Sequence, residues 1–474
     1  MESLQFTVSP TEVLQRKRTS CKLFVHNPMP SRVMNLRVSL TAASPNIILR
    51  TARIEFPDVP ANGKSSQEIL IQGIQPGQCT IQLESIKGMQ KGIFKTFPNS
   101  SIMVQIQDRG PQAVQWINKN KLLKALDYLD CHLQVSRFEN NTYRTKMFSD
   151  SGLGEAFCIF DHRNLANLLA VENFQYIDHT SYGKDLYDLV FNRDQYALYT
   201  RISDKADAQN MGIRLRLHID APELYRIRWE LLYDSHVNEF MCLQIDTPVT
   251  HYLDTLQMGR PVHTTKPLKI LGIAISPKDL LRLDLNKEKQ LIDEAVKSLS
   301  DNGDLIMEWS DVQTFEQFRR EAYSGDWNML HFIGHSEVDQ NQGGVLCFAK
   351  PNGESDKIKA ADFAAALRAN RSCRFVFLNS CSSAKTVANH PISNIAYTLL
   401  QVKIPAVIGM QSKITDSEAI ELARTFYAAI TDGLPIDAAL TTTRLQLKGA
   451  FPNSISWTTP ALFMRSKDGN LFEF

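Results

Sequence analysis

The sequence predicts a multidomain chain: an N-terminal all-β, sandwich-like domain, then an α/β domain with a mostly parallel sheet covered by helices on both faces. Two observations predict it. Up to about residue 107, short alternating apolar runs are separated by polar or Pro/Gly breaks. From about residue 165, apolar strand-like runs alternate with stretches of helical periodicity. A third observation, the length of 474 residues, suits about three domains.

The strand-like runs of residues 1–107 are LQFTV, CKLFVH, VMNLRVSL, IILR, ARIEF, SQEILIQGI, CTIQLESI and SIMVQIQ. The breaks NPMPS, PDVPANGKS and QPGQ punctuate them. Short strands at this spacing suggest a sandwich, here without a Cys…Trp…Cys signature. DRGPQ (108–112) reads as a linker. After it, Ile117, Leu122, Leu123, Leu126, Leu129 and Leu133 recur at helical spacing, which predicts a helical linker region over 108–164. KNKLLK (119–124) reads as the solvated face of that helix. The polar stretch 137–155 reads as an exposed surface loop, with a hinge or processing site as the competing reading.

Residues 165–474 read as α/β. IRLRLHID (213–220), LKILGIAIS (268–276), LIMEWS (305–310) and IPAVIGM (404–410) are strand-like. KEKQLIDEAVKSLSDN (287–302), TFEQFRREAYSG (314–325) and AADFAAALRAN (360–370) have helical periodicity, as do three later stretches. ALFMRS closes the pattern as a strand, and no fixed-period repeat is present.

Composition narrows the function classes. The hydrophobic fraction is 43% and the charged fraction 22%, ordinary for globular protein. The 52 basic and 51 acidic residues leave a net charge of +1. That gives no electrostatic reason to expect nucleic acid or an anionic membrane as partner. The N-terminal MESLQFTVSPTEV lacks a basic and then apolar leader, and no apolar run is long enough to cross a bilayer. The eight cysteines are scattered without a CxxC pair, so free thiols in a reducing cytoplasm are expected.

The chemistry concentrates between Trp327 and Ser383. WNMLHFIGHS and CRFVFLNSCSS are two apolar runs, each ending in a small polar cluster. The first delivers His335 and the second Cys381. Gly334 suggests a sharp turn presenting the imidazole, and Cys381 is expected in a turn beyond a strand ending at Leu378. A neutral imidazole beside a thiol is the minimum needed to generate a thiolate nucleophile. Backbone N–H groups at Ser336 and Cys381 are candidate oxyanion donors. His331 makes an HxxxH spacing with His335, but the run is strand-like and no third ligand stands at diagnostic spacing. No metal or other cofactor is therefore expected, and His331 reads as a buried support. Trp229 and Glu230 read as a core anchor and its hydrogen-bond partner.

HFIGHS and FLNSC resemble the two catalytic motifs of caspase-like (clan CD) cysteine peptidases of the CHAT type. The resemblance extends to RIRWELLYD (226–234), FMCLQIDTPVTHYL (240–253), residues 405–440 and SWTTPALFM (456–464), about 300 residues in all. It implies His335 as general base and acid and Cys381 as nucleophile. It makes 165–474 a caspase-like peptidase domain, with 165–262 its N-terminal subdomain and 263–474 its catalytic core. Two positions depart from the family pattern. Ser336 stands where relatives have Gly, and Asn379 stands where relatives with a basic P1 preference have Asp. Asn379, Glu337, Asp339, Asp416 and Trp457 are the candidate substrate-pocket residues. The resemblance further implies a prokaryotic, cytoplasmic endopeptidase acting on a specific protein, licensed by a partner or ligand in a bacterial defence or signalling system. Residues 1–107 then serve as an accessory or sensing domain. A catalytically silent scaffold for protein interaction is the competing reading, with acyl transfer to a small acceptor a third.

Overall fold

The computed structural model describes residues 3–473 except 15–17, 45–46, 50, 52, 74–76, 108–126, 140, 172, 254–261, 340–342, 369 and 383–390. The chain divides into two compact units, Met1–Trp116 and Ile117–Phe474.

The first unit is all-β among its described residues. Its strands are β1 (Gln5–Ser9), β2 (Glu12–Leu14), β3 (Arg18–Asn27), β4 (Val33–Ala42), β5 (Ile47–Leu49), β6 (Arg53–Val59), β7 (Gly63–Gly73), β8 (Gly77–Gln90), β9 (Ile93–Thr96) and β10 (Ser100–Gln107). One sheet runs β1-β3-β7-β5; the other runs β2-β10-β8-β4-β6, with β9 on β8. Alternation decides which side chains turn inward, as in β1, where Phe6 and Val8 are buried between exposed neighbours. Leu23, Val25 and Ile69 of the first sheet meet Val38, Ile81 and Leu83 of the second in one apolar cluster.

The second unit is built on one mixed sheet. It opens with β11 (Tyr128–Arg137), β12 (Thr142–Ser149) and β13 (Glu155–Asp161), then helices α1 (His162–Leu169), α2 (His179–Val190) and α3 (Arg193–Ala208). β14 (Gly212–Ile219), a ribbon of β15 (Tyr233–Asp234) with β16 (Glu239–Phe240), and β17 (Val249–Tyr252) follow. Then come β18 (Val262–His263), β19 (Leu268–Ala274), α4 (Leu285–Asp301), β20 (Leu305–Ser310), α5 (Phe315–Ser324) and β21 (Met329–Asp339). β22 (Gly343–Ala349), β23 (Ser355–Lys359), α6 (Ala360–Arg368), β24 (Phe375–Ser382) and α7 (Pro391–Gln401) lead to β25 (Ala406–Met410). The chain continues through α8 (Asp416–Thr431), α9 (Ile436–Ala450), β26 (Pro460–Met464) and β27 (Phe472–Glu473), which pairs with β18.

The sheet order is β13-β12-β11-β14-β17-β26-β25-β24-β21-β19-β20, with β22 on β21 and β23 on β22. Its interior is parallel except where β26 lies antiparallel to β25, and the β11–β13 and β21–β23 arms are antiparallel. β26 therefore joins the half that begins at β11 to the half that carries β21 and β24.

Successive residues of the inner strands enter opposite cores, as the two-residue period of a strand requires. Ile270, Met329, Phe377 and Ile408 pack with Ile292 of α4 and Phe426 of α8. Their neighbours Leu271, Leu330, Leu378 and Val407 pack with Phe318 of α5, Phe363 of α6 and Leu399 of α7. Helices thus cover both faces here.

The helical reading of 108–164 needs correction. Residues 108–126, with DRGPQ and KNKLLK, lie outside the described residues. Leu129 and Leu133 belong to β11, not to a helix. A spacing of four residues keeps one face in either a helix or a strand, so those leucines fit both periods. The polar loop read over 137–155 also contains a strand: Tyr143, Thr145, Met147 and Ser149 of β12 alternate inward. Charged and polar residues on its outer face hide that alternation.

No helix among the described residues is long and apolar enough to cross a membrane.

Candidate active site

The central strands β21 and β24 carry the two chemistry-bearing residues. Their parallel register pairs Met329 with Phe375 and continues to His335 with Cys381 and Ser336 with Ser382. Across adjacent strands, His335 and Cys381 stand directly opposite each other. On its other side His335 pairs with Cys347 of β22, whose thiol is pushed up to about 12 by burial.

The strands do not end where the sequence suggested. β21 runs on to Asp339 and β24 to Ser382, so neither His335 nor Cys381 sits in a turn. The serines that read as a turn signal pair instead, Ser380 Oγ donating to Ser336 Oγ at 3.2 Å. Gly334 serves close approach, because a Cβ there would lie 2.7 Å from the Phe332 ring. Ser336 is flanked by Ser382 and Leu346, which puts its backbone inside the sheet rather than in an open turn. Among the described residues, pairing of β24 with β25 stops at Leu378, so the register gives Cys381 a neighbour only on its β21 side.

His335 is 2% exposed, and its Nε2 lies 2.8 Å from the Leu281 carbonyl oxygen. A carbonyl only accepts, so Nε2 carries the proton and Nδ1 keeps its lone pair when the ring is neutral. Burial holds the imidazole below its ordinary pKa; the bond to Leu281 opposes that, and Lys413 reinforces it. The resting ring is therefore a neutral base.

A cavity of about 150 Å³ opens beside His335. Between the sheet and helices α4 and α8, it is lined by His331, Ile333, Phe377, Ile292, Leu422 and Ala423. Asn379, Ser412, Lys413, Glu288 and Asp416 complete much of its polar lining. Of the sequence candidates, Asn379 and Asp416 line it, and Asp416 is bridged by Lys287. Glu337 does not line it; its carboxylate pairs with Lys357 at 2.8 Å. Asp339 is likewise outside the lining, at the end of β21 opposite Gly343. Trp457 is 2% exposed, 4.8 Å from the Phe240 ring and under the Lys448 ammonium at 4.7 Å. It packs in the core and lines no part of this cavity.

Trp229 and Glu230 are both buried, though not as partners. Trp229 Nε1 donates to the Leu224 carbonyl at 3.2 Å. Glu230 meets His251 Nε2 at 3.2 Å, accepts from Gln411 at 2.8 Å and lies 3.8 Å from Arg444. Burial raises its pKa, but the His251 bond, Arg444 and Gln411 outweigh it and hold the carboxyl at about 2. Next to it Arg228 donates to Thr458 at 3.1 Å and to Ser412 at 3.4 Å. This network holds Gln411 and Ser412, the turn after β25 that forms one rim of the cavity. Nothing in the sequence marked Leu281, Glu288 or Lys413, which come from segments far from both motifs.

A family model described as the CHAT domain matches residues 180–465, more than half of the chain. The chain belongs to the CHAT-domain family. The family is caspase-like, of clan CD. The CHAT match takes in β14 to β26 and every residue named in the cavity lining. No curated protein matches the chain significantly. Solved structures that match include WR4, an MSP family member of C. elegans, at 12% identity, covering 22% of this chain and 97% of that one, with a TM-score of 0.17. BslA, a bacterial hydrophobin, matches at 12% identity over 23% of this chain and 96% of its own, with a TM-score of 0.17. The CARDB domain of PF1109 from Pyrococcus furiosus matches at 13% over 23% and 97%, with a TM-score of 0.16. These scores are too low to bear on fold or function. Among the described residues, no group of three or more His, Cys, Asp or Glu is placed to hold a metal ion.

Proposed function

We propose that this chain is a cysteine endopeptidase whose CHAT domain uses His335 and Cys381 as a dyad. The observation that carries the reading is the register that sets His335 opposite Cys381 on neighbouring parallel strands. Residues paired in this way belong to one face of the sheet.

In this reading Cys381 gives its thiol proton to His335 Nδ1, and the thiolate attacks the scissile carbonyl carbon. The carbonyl π pair moves to oxygen, where the Cys381 backbone N–H stabilises it. The Ser336 N–H is the second candidate donor. Collapse of the tetrahedral intermediate breaks the C–N bond, and His335 passes its proton to the leaving amine. Water, deprotonated by His335, then hydrolyses the thioester and restores the thiol. The Leu281 carbonyl holds the ring through Nε2 during both transfers.

The target is a specific protein, and cleavage is licensed by a partner or ligand. Family resemblance supports a role in bacterial defence or signalling, in the cytoplasm, with residues 1–107 as the sensing part. The test compares new protein N-termini in cells that make the wild-type chain, Cys381→Ala or His335→Ala. Termini that appear only with wild type support the peptidase. Identical profiles under conditions that activate the system support a silent scaffold instead.

A further inference from the structure

His331 lies four residues before His335 on the same face of β21 and lines the same cavity. It is 1% exposed and held on several sides. Its Nδ1 lies 2.7 Å from the Tyr427 hydroxyl. Its ring stacks on Phe377 at 4.9 Å and 3°, and Trp309 meets it edge-on at 6.1 Å. Burial drives its pKa down to about 3, so the ring is neutral at ordinary pH. Its Nε2 is buried without a hydrogen-bond partner among the described residues.

Such an atom asks for an explanation, because native structures leave few buried polar groups unpaired. A group that enters the cavity and pairs with Nε2 removes the penalty. The walls beside it are apolar: Ile292, Ile333, Phe377 and Leu422. The rim carries both signs, Glu288 against Lys413, with Asp416 already bridged to Lys287. His335 and Asn379 also line the cavity, and Asn379 stands two residues before Cys381 on β24.

We propose that this cavity receives the P1 side chain and selects a long, neutral one with a hydrogen-bonding tip, glutamine, whose carboxamide pairs with His331 Nε2. The inference rests on the peptidase reading. The methylene stem suits the apolar walls. A carboxamide offers both donor and acceptor, so it satisfies Nε2 whichever ring tautomer Tyr427 selects. A charged tip at the same depth meets only a neutral partner and loses its hydration uncompensated. An aliphatic side chain leaves Nε2 unpaired. The neutral carboxamide of Asn379 on the lining also accords with a neutral P1.

The test uses the full-length chain and four peptidyl vinyl sulfones that differ only at P1: Gln, Leu, Arg and Asp. Addition to Cys381 is followed by peptide mass. The expected result is labelling by the Gln probe at least ~10-fold faster than by the others. His331→Phe, which keeps an aromatic ring against Phe377, should bring the Gln-to-Leu ratio to about one. A second measurement follows ¹⁵N-labelled histidine by NMR while N-acetylglutamine amide is added, and the His331 Nε2 resonance is expected to shift. Fastest labelling by Arg or Asp, or a Gln preference that survives His331→Phe, overturns the pocket assignment and leaves the peptidase standing. If no probe adds to Cys381 even in extracts of cells where the system is activated, yet the amide shifts His331, the peptidase reading fails and the recognition chemistry survives. If neither happens, both fail.

Discussion

At the scale of single residues, the sequence marked the two residues that the register sets opposite each other, His335 and Cys381, and not the residues around them. His335 and Cys381 stand out because each follows an apolar run and precedes small polar residues. Leu281, Glu288, Ser412 and Lys413 carry no such mark, since long connections bring them beside β21. The serines misled in one respect: Ser336 and Ser380 bond each other inside the sheet, where a turn was expected. The state of His335 makes a prediction about pH. Its pKa is lowered, so it gains its disabling proton only below about pH 6.5, the ordinary value. The acid limb of kcat/KM, or of probe labelling, should therefore fall below pH 6.5; a limb above it contradicts a buried neutral base. A second residue-scale prediction concerns Asp437. It is fully buried against Arg214, which also reaches Asp130 at 3.3 Å and the carbonyls of Lys467 and Asp468 at 2.9 Å. Asp437→Ala leaves that guanidinium partly unpaired and should cost about 3–5 kcal/mol in denaturant unfolding.

At the scale of elements, strands and helices separated cleanly where the apolar period was unambiguous. LKILGIAIS is a buried strand and KEKQLIDEAVKSLSDN lies in α4, as their patterns indicated. The errors fell at 128–149, where four-residue spacing fits two periods and where polar outer residues masked β12. Tertiary pairing with β14, not local preference, settles β11 as a strand. The start of α8 is a testable element. Thr415 caps it, and Glu418 bonds back to the Thr415 N–H at 2.7 Å. Thr415→Ala should lower stability by about 1 kcal/mol. Because Thr415 follows the cavity rim at Lys413 and Ile414, the same change should slow probe labelling; unchanged labelling would separate the cap from the site. Gly409 offers a sterner case, since a Cβ there would meet Ile392 of α7 at 2.0 Å. Gly409→Ala must push α7 off the sheet and should reduce Tm by several degrees, read by circular dichroism.

At the scale of the whole molecule, the two-architecture reading was accessible because the hydrophobic period changes along the chain. The mixed character of the large sheet was not, because antiparallel β25–β26 pairing is decided by residues fifty or more positions apart. Each unit has its own apolar core. Calorimetry should therefore resolve two unfolding transitions, and mutations such as Asp437→Ala should move one of them alone. The buried histidines add a pH trend. His331 and His218 both have pKa values lowered to about 3, by burial first and, for His218, by His132 at 2.9 Å as well. Their folded values lie below the unfolded 6.5, so unfolding takes up protons between about pH 6.5 and 3. Stability from these groups is complete above that window and falls with pH by up to about 1.4 kcal/mol per unit for each ring. His331→Gln should flatten the slope in urea titrations.

The strand β26 gives the large sheet a timetable. It pairs with β17 on one side and β25 on the other, yet it follows both in the chain, at 460–464. During synthesis the half from β11 to β17 and the half from β19 to β25 emerge first, each with a raw inner edge. Only when residues 460–464 leave the ribosome can one strand cover both edges and fix β24 within a continuous sheet. The His335–Cys381 register lies inside the second of these halves, whose inner edge at β25 thus stays uncovered until almost all of the matched CHAT region has been made.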